Sequence, residues 1–427
     1  MHVSPRRPPP VLILALTTLL AGSGVTLAAT PAAATGAATV SATAGWTATW
    51  AASPQRPGVN YTPNWSEQGF ANQTIRQVVR ISVGGGAARV RLSNVYGDAP
   101  LRVTGATVAR TLKGAAIRPG SLRHLTVKRA RSFTIPAGAE LASDPVPLRL
   151  GALESVTVTF YLAAPTGPAT YHAQAMATSY RSGGDHRADG GGAAFTQTSQ
   201  SWYYLSGVDV IAAPRRDGVV AFGDSLTDGY GAGFGADNRY PDELAERLVA
   251  EGRPRAVINQ GIGGNRVTVD SAWLGDKATS RFRRDVLGQP GVGTVVILEG
   301  INDIGMSEAP SPLGAPPTEV SAAELIAAHR DLIRQARAGG LRVIGATLPP
   351  MKGSRYHTAR GEAKRDEVNT WIRTSGEYDA VADLDRALAS PADEDRLDPA
   401  FDSGDHLHPN DAGYRAMARA VTPADLG

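Results

Sequence analysis

The sequence predicts a chain in two parts: an all-β sandwich of jelly-roll-like kind, followed by an α/β domain built on a parallel sheet. Three observations carry this reading. Residues 46–213 alternate apolar and polar side chains in twos. After Arg215–Arg216 the apolar runs become continuous and are separated by helical stretches. The 427 residues, 42% hydrophobic and 19% charged, are enough for two ordinary cores.

The chain begins with a segment that belongs to neither part. Arg6 and Arg7 precede the apolar run VLILALTTLL (Val11–Leu20), and small residues follow through Ala28 and Ala29. A charged start, a short apolar stretch and a small-residue end describe a secretory signal peptide over residues 1–29. A bilayer span needs about 20 apolar residues, which disfavours a membrane anchor. Residues 30–45 are Ala/Thr-rich without charge or apolar period and read as a flexible segment. No later stretch is long and apolar enough to cross a membrane, so the mature product is expected outside the cell, without a membrane span.

Charge and cysteine content narrow the function. Lys and Arg number 43 against 40 Asp and Glu, a formal net charge of +3. Loss of Arg6 and Arg7 leaves 41 against 40. Such a balance argues against nucleic-acid binding by phosphate neutralisation. The absence of cysteine excludes a thiol nucleophile, iron–sulfur clusters, zinc held by Cys and any disulfide. By itself it favours the cytosol, and the leader contradicts that.

The β-half, residues 46–213, is read from Ile75–Val83, Ala88–Val95, Ser155–Leu162 and the run FTQTSQSWYYL ending at Leu205. These β-branched and aromatic stretches are broken by GGGAA, YGDAP, PAGAE and APTGPA, which favours an antiparallel sandwich. In the α/β half, residues 214–427, buried parallel strands are expected at Gly218–Phe222, Ala256–Asn259, Thr294–Leu298, Leu341–Leu348 and Ala380–Leu384. One helix starts at the capping box Ser321/Glu324, carries Leu325, Ile326, Leu332, Ile333 and Ala336, and stops at Gly339–Gly340. Alternating strand and helix imply a parallel sheet whose ligand site lies beyond the carboxyl ends of the strands.

Those ends carry the polar residues. The first strand runs into Gly223-Asp224-Ser225-Leu226-Thr227-Asp228-Gly229, which places Ser225 as a nucleophile or, alternatively, as part of a helix cap. The second runs into Asn259-Gln260-Gly261-Ile262-Gly263-Gly264-Asn265, whose glycines either let backbone approach a bound group or make a turn. The third runs into Glu299-Gly300-Ile301-Asn302-Asp303, with an amide donor on the same rim. Near the C-terminus, Asp402-Ser403-Gly404-Asp405-His406-Leu407-His408-Pro409-Asn410 offers a base, His408, with a carboxylate, Asp405, three residues before it. A metal site on the Asp/His/His cluster is the competing reading. It lacks further His ligands, so no metal is expected.

GDSLTDG, NQGIGGN, GIND and DHLHP, in this order between about Val219 and Tyr414, resemble the sequence blocks of the SGNH (GDSL-type) serine hydrolases. The resemblance implies a flavodoxin-like three-layer α/β/α domain and ester hydrolysis without a cofactor. It implies Ser225 as nucleophile, His408 as base and Asp405 as acid. It further implies an oxyanion hole from the backbone N–H of Ser225, the backbone N–H of Gly264 and the side-chain amide of Asn302. The spacing N-x-x-x-x-G from Asn259 selects Gly264 over Gly261 and Gly263. No G-x-S-x-G occurs, which disfavours the nucleophile elbow of the α/β-hydrolases. WTATWAASPQ (Trp46–Gln55) and SVGGGAARVRLSN (Ser82–Asn94) resemble the opening of a subgroup of secreted bacterial SGNH proteins, on which the β-half belongs to the enzyme.

Other residues keep two readings. Asp224 and Asp303 are expected to hold the rim through backbone hydrogen bonds. Trp273 and Arg281 either line the substrate path or pack the long connection. Asn60, Asn64 and Asn72 head glycosylation sequons. His124, His172, His186, His329 and His357 stand singly, with His329 expected at the surface or partly buried. The β-half is either a glycan-binding module or a structural sandwich beside the rim; exposure of Tyr61, Trp65, Trp202, Tyr203 and Tyr204 decides. The sequence thus points to a secreted, monomeric serine esterase acting on a small-molecule or polysaccharide ester, most simply an acetylated carbohydrate. The alternatives are a lipase or lysophospholipase, a glycan-binding protein with an inactive hydrolase half, and a metal-dependent hydrolase built around His406 and His408.

Overall fold

The computed structural model describes residues 45–61, 63–212, 216–308 and 318–427. The expected leader, most of the Ala/Thr-rich segment and the junction at 213–215 lie outside the described residues.

The β-half is two antiparallel sheets facing each other. One is ordered Trp46–Ala51, Leu205–Ile211, Gly85–Ser93 and Val146–Leu150, with Glu140–Ala142 also on Gly85–Ser93. The other is ordered Gln197–Ser199, Ser179–Gly183, Gln73–Arg80, Ser155–Leu162, Gly105–Lys113 and Ala116–Ile117. Alternation works as the pleat requires: Val146, Leu148 and Leu150 are buried and the residues between them exposed. One core joins the sheets, with Ile75, Val90, Val108, Val158, Phe160 and Val208 in it. At one end it becomes aromatic. The Trp65 and Tyr203 rings stack at 5.3 Å, and Trp50 meets Trp202 edge-on at 4.9 Å.

The second half carries a five-stranded parallel sheet in the order Val257–Gly261, Gly218–Gly223, Val292–Leu298, Arg342–Ala346, Ala380–Ala382. Numbered along the chain this is 2-1-3-4-5, the flavodoxin-like order. Gly218–Gly223 is buried at every residue, as a central strand covered on both faces must be. The helices form two packed groups, Tyr240–Ala250 with Asp411–Ala420, and Ala322–Ala338 with Ala359–Thr374. The capping box forms as expected: Ser321 accepts from the Glu324 N–H while the Glu324 carboxylate accepts from the Ser321 N–H.

The described residues form one compact unit, because the first β-strand also serves the second half. Ala48 and Ala51 belong to the core of the second half, and the Ala48 N–H donates to the Pro290 carbonyl at 2.9 Å. Ser53 Oγ donates to Gln260 Oε1 at 2.6 Å, Arg91 to Gln289 at 2.6 Å, and Arg80 pairs with Glu246 at 2.5 Å. Among the described residues, no helix is long and apolar enough to cross a membrane.

His329 corrects its expected position. It is fully buried, with Nδ1 on the Tyr378 hydroxyl at 2.6 Å and Nε2 on the Glu299 carbonyl at 3.1 Å. The helix dictates this, since Leu325, His329, Leu332, Ile333 and Ala336 follow the spacing of one apolar face. Burial lowers the His329 pKa to about 4, so the ring is neutral.

Candidate active site

The carboxyl ends of the parallel strands converge on one open cleft of about 700 Å³. Ser225 enters it directly from Gly218–Gly223. Asp224 caps the short helical turn Ser225–Asp228, its Oδ1 accepting from the Leu226 N–H at 2.9 Å. Capping fixes the turn's start, so the serine side chain leaves the strand end in one direction.

His408 reaches the same point from the C-terminal loop. Its Nε2 lies 2.8 Å from Ser225 Oγ, and its Nδ1 lies 2.6 Å from Asp405 Oδ2. The carboxylate assigns the proton to Nδ1 and leaves Nε2 to accept from the serine hydroxyl. Asp405 Oδ1 accepts the N–H groups of His408 at 2.8 Å and Leu407 at 3.0 Å, so one carboxylate holds both the ring and its loop. Burial alone raises the Asp405 pKa; the hydrogen bonds and charge of His408, with the two N–H groups, outweigh it and hold the carboxyl below the usual range. His406 pairs instead with Asp402 at 2.5 Å. Among the described residues, no group of three or more His, Cys, Asp or Glu could hold a metal ion.

Gly264 and Asn302 line the cleft with Ser225, Asp405 and His408. Gly264 sits at φ +77°, a left-handed backbone that favours glycine, and a Cβ there would also press on the Leu274 side chain at 2.7 Å. Among the described residues, the N–H groups of Ser225 and Gly264 have no protein acceptor. The Asn302 amide is oriented from both ends: Oδ1 accepts from the Tyr356 hydroxyl at 3.0 Å, and Nδ2 donates one hydrogen to the Asn265 carbonyl at 3.0 Å. Its second hydrogen remains for the cleft. The arrangement brings together a hydroxyl, a base oriented by a carboxylate, and three neutral donors, all five sequence-expected residues in one place.

Beneath this rim lies a buried charged network. Arg281, fully buried, donates to the carbonyls of Gly223 and Gln260 at 2.8 Å and to Asn265 Oδ1 at 2.8 Å, and pairs with Asp285 and Glu299 at 3.1 Å. It therefore ties three strand ends together and does not line the cleft. Trp273 is likewise absent from the cleft; its carbonyl accepts from Gln55 and Asn60. Asp303 accepts the N–H groups of Val267 and Thr268 and the Thr268 hydroxyl. Burial, with Asp303 nearby, raises the Asp224 pKa to about 7. Burial and the same crowding raise Glu299 as well.

The sequence resemblance makes the β-half part of the enzyme, but it does not single out which of its residues reach the cleft. Val59, Asn60 and Tyr61 form part of the cleft wall beside Ser225. Trp65, Trp202, Tyr203 and Tyr204 are buried in the core and offer no stacking face to a glycan. His172 is not solitary: it is buried against Asp228 of the GDSLTDG turn. Of the sequon asparagines, Asn60 is buried, Asn64 half-buried and Asn72 exposed.

A parallel α/β sheet with this rim defines an ester hydrolase. Residues 221–416 match the model of the GDSL-like Lipase/Acylhydrolase family, and the hydrolase half is a member of that family. No curated protein matches the chain. Similar solved structures include a GDSL-like lipase from Bacteroides thetaiotaomicron, 18% identical over 49% of this chain and 88% of that one, TM-score 0.37. Another is an acetylxylan esterase from Geobacillus stearothermophilus, 24% identical over 49% of this chain and 93% of that one, TM-score 0.37.

Proposed function

We propose that the protein is an exported serine esterase that removes short acyl groups, acetyl foremost, from a carbohydrate. Ser225 Oγ attacks the ester carbonyl while His408 Nε2 takes its proton, and Asp405 stabilises the imidazolium that forms. The carbonyl oxygen becomes an oxyanion held by the N–H groups of Ser225 and Gly264 and the free hydrogen of the Asn302 amide. As the ester C–O bond breaks, His408 returns the proton to the leaving alcohol. Water then attacks the acyl-enzyme by the same proton transfer and releases the acid.

The observation that carries the reading is the unbroken chain Ser225 Oγ–His408 Nε2–Nδ1–Asp405 Oδ2, at 2.8 and 2.6 Å. The carbohydrate assignment draws on a cleft in which Tyr61, Tyr230 and Tyr356 stand beside Asn60, Ser354 and Arg355, a mixture of aromatic faces and hydrogen-bonding groups suited to sugar rings. Export draws on Arg6–Arg7 and the apolar run after them. A longer acyl chain is the second reading, favoured by Val59, 61% exposed, and Tyr230, 43% exposed, at the mouth of the cleft.

Hydrolysis of p-nitrophenyl esters from acetate to decanoate, with acetylated polysaccharides alongside, tests both. Acetate preference, acetate release from polysaccharide, loss of activity in Ser225→Ala and indifference to chelators are expected. A decanoate optimum transfers the assignment to lipids. An active Ser225→Ala enzyme abolished by chelator removes the serine mechanism.

A further inference from the structure

The β-half meets the hydrolase rim at a buried cluster that the reaction above does not use. His172, 3% exposed, has Nδ1 at 2.9 Å from the Ser53 carbonyl. Its Nε2 lies 3.0 Å from Asp228 Oδ1 and 3.1 Å from the Gln174 carbonyl. Every one of these partners is an acceptor, so both ring nitrogens must carry protons for the contacts to be hydrogen bonds. The ring also lies over Trp202, centroids 5.4 Å apart and planes 29° apart, an aromatic face suited to a cation. Asp228, 1% exposed, closes the Ser225–Asp228 turn, and its second oxygen accepts from the Gly263 N–H at 2.8 Å. A Cβ on Gly263 would meet the Tyr61 hydroxyl at 2.9 Å and Gln174 Oε1 at 3.0 Å. Those two groups are themselves joined by a 2.6 Å hydrogen bond. Tyr61 and Gln174 thus crowd the peptide next to Gly264, and His172 reaches it through Asp228.

We propose that His172 is a positioning residue for the ester hydrolysis: as an imidazolium it anchors Asp228, and through Asp228 it fixes the Gly263–Gly264 backbone so that the Gly264 N–H meets the oxyanion. The inference rests on the serine-esterase reading and deepens it, making the β-sandwich part of the catalytic apparatus. Asp228 is the pivot, because it belongs to the turn that carries the nucleophile and grips the loop that carries the donor. Net elevation of the His172 pKa agrees: burial opposes the charge, but Asp228 and the two carbonyls outweigh it. A donor must lie within about 2.7–3.1 Å of the oxyanion to act, so a loop released by a fraction of an ångström loses most of its effect.

The test is steady-state hydrolysis of p-nitrophenyl acetate by full-length His172→Gln, with active sites counted by end-point labelling of Ser225 with a fluorophosphonate. A 10- to 100-fold fall in kcat per labelled site is expected, with KM within about threefold of the native value. Asp228→Asn is expected to match it, and the double variant to fall no further, since both act through one loop. A role confined to stability would lower the melting temperature and leave kcat per labelled site unchanged, and that result overturns the proposal. Should the variants fail to fold, the ring ¹⁵N shifts of His172 in the native protein at neutral pH decide: a doubly protonated ring supports the proposal and a neutral ring overturns it. Activity surviving Ser225→Ala would refute the serine mechanism itself. Activity lost in Ser225→Ala but unaltered per site in His172→Gln refutes the positioning role alone.

Discussion

Asp405→Asn is the perturbation that probes the site most sharply, because the structure dictates how the new amide must sit. Asp405 Oδ1 accepts two backbone N–H groups, from His408 and Leu407. Asparagine keeps both bonds only if its oxygen stays there, which turns its NH₂ toward His408 Nδ1. The opposite orientation would set the NH₂ against two donors and forfeit both bonds, about 1 kcal/mol each, besides leaving donors unpaired. His408 must then accept at Nδ1 and carry its proton on Nε2, where it can no longer take one from Ser225. In a Ser-His-Asp site this tautomer reversal costs about 10⁴ in kcat, or about 5.5 kcal/mol. Because Asp405 is 43% exposed at its side chain, water can partly relieve the constraint, and a fall of about 10³–10⁴ is expected. The assay is kcat for p-nitrophenyl acetate at neutral pH per labelled Ser225, with His406→Asn as control. His406 lies in the same loop but pairs with Asp402 and does not reach Ser225, so its variant should stay within about threefold of native. Asparagine also tolerates the left-handed φ of 61° at that position. An Asp405→Asn enzyme within tenfold of native would refute the orienting role and the tautomer argument with it.

Three further outcomes follow from the same geometry. Asn302→Ala should lower kcat by about 10²–10³ with little change in KM, and Tyr356→Phe should lower it less, since the phenol only orients the amide; equal losses would contradict this ranking. Arg281→Met should destabilise the fold by about 3–5 kcal/mol in urea unfolding, because it strands Glu299 and removes donors from the Gly223 and Gln260 carbonyls, while Asp285 keeps Arg284; a loss below 1 kcal/mol would show that the ion pairs add little. Asp224 titrates near pH 7 in the fold against an ordinary value of 3.8. The folded state therefore holds its proton more tightly, and this group's favourable contribution fades as pH rises from about 4 to about 7. Asp224→Asn, relative to native, should gain stability at pH 8 compared with pH 4.5, and a gain confined to pH 4.5 would reverse the sign.

What the sequence disclosed follows the reach of its signals. Gly218–Phe222 and Thr294–Leu298 were legible as strands because a parallel strand covered on both faces needs a continuous apolar run, and the structure extends them only to Gly223 and back to Val292. Ser225, Asp405 and His408 were legible because each lies in a short block whose neighbours serve its geometry: a capping Asp224, or an aspartate one turn before its histidine. His172 had no such neighbours. Its partner is 56 positions away, across the junction of two architectures, and a single histidine in an alternating strand pattern carries no local mark. Arg281 was ambiguous for a related reason: arginine is rare in a core, and only the convergence of Gly223, Gln260 and Glu299 supplies the acceptors that permit it. His329 did carry a signal, its place on the apolar stripe from Leu325 to Ala336, but histidine's polarity argued the other way.

The same contrast bears on why the rim is built over buried charge. Three strand ends must hold donors within a few tenths of an ångström, yet beyond each end the regular ladder stops and the turns carry only a few backbone hydrogen bonds. Arg281 and Asp303 bind backbone groups from beneath, which requires burying carboxylates: burial raises the pKa of Asp224, Glu299 and Asp303, and neighbouring carboxylates add to it at Asp224 and Glu299. A purely apolar floor would avoid burying those charges but take the Arg281 donors from the carbonyls of Gly223 and Gln260. The β-half supplies the same service from the side, with Ser53 on Gln260 and His172 on Asp228. The loop from Gln260 to Asn265 is thus wired by polar contacts from two directions, and separating the β-half would remove one of them. On the positioning role proposed for His172, the residues between Trp46 and Gln174 serve the site as much as the strand ends do.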